Sequence, residues 1–138
     1  AAIQTLAPLL SSMAGFSGTA DIADAPVRCR RSTSADEVAA LALKFYGGSM
    51  FPAEYKNKLF IVNHGSWNRS AAVGPIGYRI MVATVEGDKV TKYEPFAEGF
   101  LQGRQAWGRP VDLLEMPDGS LLVSDDMGGV IYRISYKK

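Results

Sequence analysis

From Phe51 onward, short apolar runs alternate with polar turn segments, and the runs are too short and too densely punctuated to be helices. Leu59-Phe60-Ile61-Val62 follows the turn-like Tyr55-Lys56-Asn57-Lys58 and reads as a buried strand. The same pattern predicts strands over Leu59–Asn63, Tyr78–Val85, Lys89–Pro95, Pro110–Met116, Leu121–Asp125 and Val130–Tyr136. Glu86-Gly87-Asp88, Pro117-Asp118-Gly119-Ser120 and Gly128-Gly129 lie between them, and such short Gly/Asp connections are hairpin chemistry. Strands do not alternate with long helical patterns, which argues against a parallel doubly wound sheet. The expected fold class is all-β.

The first part of the chain differs. Residues 1 to about 33 are rich in Ala, Ser, Gly and Thr with weak periodicity, so the expectation is loop with a short helix over Ile3 to Met13. Thr33 or Ser34 is a candidate N-cap, with Asp36 and Glu37 in the first turn behind it. Ala40-Leu41-Ala42-Leu43-Lys44-Phe45-Tyr46 reads equally well as a strand, and the expectation is a short helix passing into one. This divides the chain into a leader over 1–35, poorly ordered or short helical, and a β-region over 36–138.

The β-region carries a weak internal repeat. Leu59-Phe60-Ile61-Val62, a polar segment and Tyr78-Arg79-Ile80 form one unit; Leu121-Leu122-Val123, Ser124-Asp125-Asp126 and Tyr132-Arg133-Ile134 echo it. The two Tyr-Arg-Ile triplets are 54 residues apart, near the roughly 40–50 residues of a four-stranded propeller blade once an insertion in the first unit is allowed. The expectation is about two antiparallel blades of a β-propeller. Two blades alone leave sheet faces and edges that further blades, in another chain or a second copy, would cover.

Composition narrows the function classes. At 138 residues this is one domain at most, and a net charge of +1 gives no global electrostatic case for nucleic acid or a membrane surface. No apolar stretch approaches the ~20 residues of a membrane span, and the mildly apolar start lacks the positive region of a signal peptide. Cys29 is the single cysteine, which excludes an internal disulfide and a cysteine-rich metal site. Asp125 and Asp126 resemble a metal pair, but no further ligand falls at calcium-loop spacing, so turn caps or partners for an arginine are the better reading. No Ser-His-Asp triad, Walker loop, dinucleotide fingerprint or zinc pattern is present.

The most informative segment is His64-Gly65-Ser66-Trp67-Asn68-Arg69-Ser70, directly after the apolar run at 59–62. It places the only histidine, a tryptophan, an amide, an arginine and two hydroxyls at the end of a strand. A packed core has little use for that mixture, because each buried polar group needs a partner. A polar or anionic ligand at the end of a sheet has use for all of it. Asn68-Arg69-Ser70 is formally a glycosylation sequon, but its polar groups have a better use in such a site.

This segment belongs to a wider set: Phe51-Pro52-Ala53-Glu54-Tyr55, Gly77-Tyr78-Arg79, Trp107-Gly108-Arg109-Pro110-Val111-Asp112, and Pro117-Asp118-Gly119-Ser120-Leu121-Leu122-Val123-Ser124-Asp125-Asp126. In this order, over about residues 40 to 136, they closely resemble the C-terminal part of the sorbosone/glucose dehydrogenase family. The resemblance implies a six-bladed propeller quinoprotein, periplasmic or secreted, that oxidises an aldose or sugar aldehyde by hydride transfer to pyrroloquinoline quinone (PQQ). Members are more than twice this long, and the blades carrying the catalytic histidine and the calcium ligands have no counterpart here. The expectation is therefore no catalytic base and no metal ligand in this chain, whose own activity is left open. The alternatives are a non-catalytic fragment serving assembly or binding, and a propeller sugar lactonase.

Within that resemblance, Arg109, His64, Arg69 and Trp107 are the candidate cofactor-binding residues, and Trp67 and Asn68 the candidate substrate-binding residues. Arg109 matches a family arginine that contacts the cofactor; a carboxylate of PQQ suits its bidentate fork, and Pro110 restricts its backbone. The alternative is a surface ion pair with Asp112 or Glu115. Related enzymes carry a second arginine two residues on, where this chain has Val111. His64 either hydrogen-bonds a quinone oxygen or substrate hydroxyl, or fixes the polar loop. Arg69 either binds a cofactor carboxylate or bridges to Asp125 or Asp126. Trp67 and Trp107 either wall the pocket or pack blade against blade.

Overall fold

A computed structural model describes residues 2–6, 38–67 and 69–137. These residues are all-β apart from one 3-10 turn at Ala53–Tyr55. The strands are β1 (Ala2–Leu6), β2 (Ala39–Phe45), β3 (Leu59–Gly65), β4 (Arg79–Glu86), β5 (Lys89–Ala97), β6 (Leu101–Gln102), β7 (Gln105–Ala106), β8 (Pro110–Glu115), β9 (Leu121–Asp125) and β10 (Val130–Ser135). They form two four-stranded sheets, β2-β3-β4-β5 and β1-β10-β9-β8, and the two-stranded ribbon β6-β7. Every pairing is antiparallel. Both sheets have the construction of propeller blades.

Each of the six predicted strands is present, with ends displaced by two residues or fewer. The N-terminal region corrects one expectation and bears out the strand reading of another segment. Where a short helix was expected from Ile3, residues 2–6 form a strand against β10, with Ile3 opposite Ile134 and Thr5 opposite Tyr132. Without it the outer edge of β10 would present unpaired N–H and C=O groups. Residues 39–45 are strand throughout, paired with β3. The rest of the expected Ile3–Met13 helix, and the helix start at Thr33 or Ser34, lie outside the described residues.

One core joins the sheets. Phe60, Val62, Ile80 and Val82 from the first sheet meet Leu113, Leu121, Val123, Tyr132 and Ile134 from the second, all buried. Period-two alternation explains the choice: Phe60 and Val62 point inward while Leu59 and Ile61 take the other face. Strand β8 lies against both β2 and β3, bringing edge strands β2 and β8 of the two sheets together. On the outer face of the first sheet, Leu41, Leu43 and Phe45 are all more than half exposed.

The repeat is real in three dimensions. Val62 pairs with Ile80 in the first sheet, and Leu121 with Ile134 in the second. Four residues beyond each strand partner, Ser66 and Asp125 receive the tyrosine of their own triplet. The Tyr78 hydroxyl donates to the Ser66 carbonyl at 3.1 Å, and the Tyr132 hydroxyl to Asp125 Oδ2 at 3.1 Å. The connection between the paired strands differs: the first sheet carries the long segment 66–78, the second the tight turn 126–129.

Candidate functional site

The sheets are stapled at both ends of their shared core. At one end Tyr46, 1% exposed, donates its hydroxyl to the Gly119 carbonyl at 2.7 Å and accepts from the Met50 and Phe51 amides at 3.1 and 3.3 Å. Glu115 Oε2 accepts from the Gly47 amide at 2.9 Å. Nearby, Asp118 accepts from the Ser120 hydroxyl and amide at 2.6 and 3.0 Å and meets Arg133 Nη2. The Ser120 hydrogen bonds, ahead of the Arg133 charge, hold the Asp118 carboxyl below the usual range.

The polar segment and Arg109 stand at the opposite end. His64 lies near the end of β3, and its Nε2 is 3.0 Å from both carboxylate oxygens of Asp126, in the turn after β9. The Asp126 amide approaches the Arg109 carbonyl at 3.4 Å. The Arg109 guanidinium carbon lies 5.6 Å from the centre of the Tyr78 ring, within cation–π range. His64, Asp126, Arg109 and Tyr78 therefore form a chain of contacts across the junction.

Backbone features build this end. Beneath Tyr78 a Cβ at Gly65 would lie 2.5 Å from the ring, so only glycine admits it. Tyr78 itself has φ 55, a left-handed conformation that a non-glycine residue adopts at a cost of about 1–3 kcal/mol. Behind Arg109, buried Asp125 closes the wall. Its Oδ1 accepts from the Arg109 and Gly128 amides at 3.0 and 2.8 Å while its Oδ2 accepts from Tyr132. A Cβ at Gly108 would fall 2.4 Å from that same Oδ2. Burial, then the hydrogen bond and charge of Asp125, pushes the Tyr132 hydroxyl up to about 12.

Arg109 holds an unsatisfied group at this end. Its Nε is buried and has no hydrogen-bond partner among the described residues. The expected alternative, an ion pair with Asp112 or Glu115, does not form among those residues. Asp112 Oδ1 accepts from the Leu113 amide at 2.7 Å, and Glu115 is engaged with Gly47. A guanidinium anchored over an aromatic ring with an unpartnered N–H is suited to an oxyanion ligand. The orphaned Nε thus fits a carboxylated cofactor such as PQQ. Arg79 Nε is likewise buried and unpartnered, but Arg79 Nη1 meets Glu98 at 3.1 Å.

The other candidates separate. Arg69 Nε donates to the Gly74 carbonyl at 2.7 Å, bracing the long connection, while Asp126, one of its expected partners, takes His64. Trp67 is 85% exposed, so it does not pack blade against blade among the described residues. Asn68 lies outside the described residues. Trp107 stacks on Phe100 at 5.5 Å, meets Tyr132 edge-on at 6.1 Å and bonds the Gly99 carbonyl. With Gln102 and Gln105 it lines a shallow cavity of about 260 Å³.

Sequence reasoning missed Tyr78 as a site residue, because the Tyr-Arg-Ile triplets read as structural; the preceding Gly77, with φ 88, was the available signal. It weighed Asp126 only as a turn cap or arginine partner. Among the described residues no group of three or more His, Cys, Asp or Glu side chains is placed to hold a metal ion, and no helix is long and apolar enough to cross a membrane.

Comparison with known proteins gives a limited likeness. No family model matches the chain. An uncharacterized protein of Borreliella burgdorferi is 47% identical over 104 residues, covering 73% of this chain. The chain spans only 27% of that relative's length. Among solved structures, a glucose dehydrogenase is 27% identical over 70% of this chain and 25% of its own, with a TM-score of 0.46. The PQQ domain of pyranose dehydrogenase from Coprinopsis cinerea, in its holo form, is 25% identical over 71% of this chain and 27% of its own, also at 0.46. A second glucose dehydrogenase structure is 26% identical over 72% of this chain and 23% of its own, at 0.47.

Proposed function

We propose that this chain forms C-terminal blades of a PQQ-dependent sugar dehydrogenase of the sorbosone/glucose type, acting on an aldose or sugar aldehyde in the periplasm or outside the cell. The observation that carries the reading is Arg109, whose buried Nε, at the polar end of the two-sheet junction, has no partner among the described residues. The ordered motifs from Phe51 to Asp126 support it. Arg109 would hold a cofactor carboxylate, with Tyr78 and the Asp125 wall fixing its direction. When bound, the quinone supplies the hydride acceptor for oxidation of the sugar. His64 would meet a sugar hydroxyl, and Arg69, Trp107, Trp67 and Asn68 would frame the approach. Calcium, where the complete enzyme uses it, would be held by other segments.

A second reading has a specific observation behind it. The half-exposed stripe Leu41, Leu43 and Phe45 is a face that further blades, or a second copy, would cover. In that case the chain serves assembly. Titration of the folded protein with PQQ in the presence of calcium, followed by quinone absorbance and then by dye reduction with aldoses, separates the readings. Saturable binding with turnover supports the dehydrogenase reading. Binding without turnover leaves the cofactor site and favours the assembly role for the chain alone. No spectral change with folded protein overturns the cofactor reading.

A further inference from the structure

We propose that Asp126 is a positioning residue for His64, holding the imidazole in the tautomer protonated at Nε2 so that Nδ1 is the acceptor offered to a hydroxyl-bearing ligand. Both Asp126 oxygens lie 3.0 Å from His64 Nε2. An ionised carboxylate has no proton to give, so Nε2 is the donor. In the neutral ring the lone pair then belongs to Nδ1. Nδ1 makes no hydrogen bond among the described residues.

The two residues are 62 positions apart, His64 in the first sheet and Asp126 in the turn that follows β9 of the second, so the pair exists only when the sheets are packed. The His64 side chain is 13% exposed and that of Asp126 58% exposed. The ring is thus gripped within the junction while its partner's charge stays in water, which avoids the desolvation cost of a buried carboxylate. Asp126 is itself fixed through its amide at the Arg109 carbonyl. A ring nitrogen oriented by a carboxylate on the opposite nitrogen is the arrangement that prepares histidine to accept a hydroxyl proton or hydrogen bond. This assignment rests on reading the Arg109 end as a ligand site, but its test needs no ligand.

The chain has one histidine, so both imidazole nitrogen signals belong to His64, and their couplings to Hδ2 and Hε1 tell Nε2 from Nδ1. In ¹⁵N-histidine-labelled protein at about pH 9, where imidazole is neutral, Nδ1 should stand at the lone-pair limit and Nε2 at the N–H limit. Asp126→Ala should pull both signals toward tautomer-averaged positions. Asp126→Asn should restore the limits, because its carboxamide oxygen still accepts from Nε2–H. Far-UV circular dichroism checks the fold of each variant, and the wild-type and Asn spectra decide the matter if the Ala variant does not fold. Averaged wild-type signals, an Nδ1–H tautomer, or an Asp126→Ala spectrum identical to wild type overturns the proposal. Failure of the PQQ titration with the tautomer fixed would remove the cofactor reading and leave the pair standing.

Discussion

The two ends of the sheet junction are built from the same kinds of group and finished differently. At the Tyr46 end the buried tyrosine hydroxyl engages Gly119, Met50 and Phe51, and the charged groups beside it are paired, Glu115 with the Gly47 amide and Asp118 with Arg133. At the Arg109 end the staple is charged and unfinished: among the described residues Arg109 Nε lacks a partner and His64 uses one nitrogen of two, while Asp126 faces water. Buried polar groups are almost always paired. An end whose named polar groups are paired therefore serves to hold the sheets together, and an end with an unpaired buried group has room for something else. The difference in connections agrees, because the long segment 66–78 and its polar motif belong to the open end.

The sharpest way to break this contrast is to damage the closed end. Tyr46→Ala should cost about 3–5 kcal/mol of unfolding free energy, as for other buried aromatic truncations, measured by denaturant melts. Next, Asp125→Ala should cost about 3 kcal/mol, because it strands the Arg109 amide, the Gly128 amide and the Tyr132 hydroxyl together. Ser66→Ala, at the matching position of the first sheet, should cost only about 1 kcal/mol, since the Tyr78 bond there goes to the backbone.

A further effect is set by pH. The Tyr132 hydroxyl is raised from 10.0 to about 12, so between those values the unfolded chain loses its proton while the native state keeps it. Stability should be intact below about pH 10 and fall as pH rises toward 12. Tyr132→Phe should flatten this part of the profile. The smallest stability change is expected for Asp126→Ala, under about 1 kcal/mol for an exposed partner. A cost equal to that of Tyr46→Ala would erase the distinction between the ends.

Much of the fold was legible because period-two patterning and Gly/Asp turns act locally. The hairpin β8-β9 and the strand β10 after it needed only residues 110–135. Strand β1 was not legible, since its partner β10 lies more than a hundred residues away and no turn announces the pairing. Strand β2 was ambiguous because it is apolar on a face left exposed, so neither alternation nor burial marked its period. At the site, His64 and Arg109 were visible as chemistry without a core use. Their partners Asp126 and Tyr78 were not, because both contacts are made between sheets and depend on register and on one left-handed residue.

The measurement closest to the central claim is PQQ affinity by calorimetry at low ionic strength for wild type, Arg109→Ala and Arg133→Ala. Each variant removes one arginine, at the open end and the closed end respectively. The account predicts at least a tenfold loss for Arg109→Ala, about 1.4 kcal/mol, and wild-type affinity for Arg133→Ala. Equal affinity for all three proteins, or an equal loss in both variants, would contradict it.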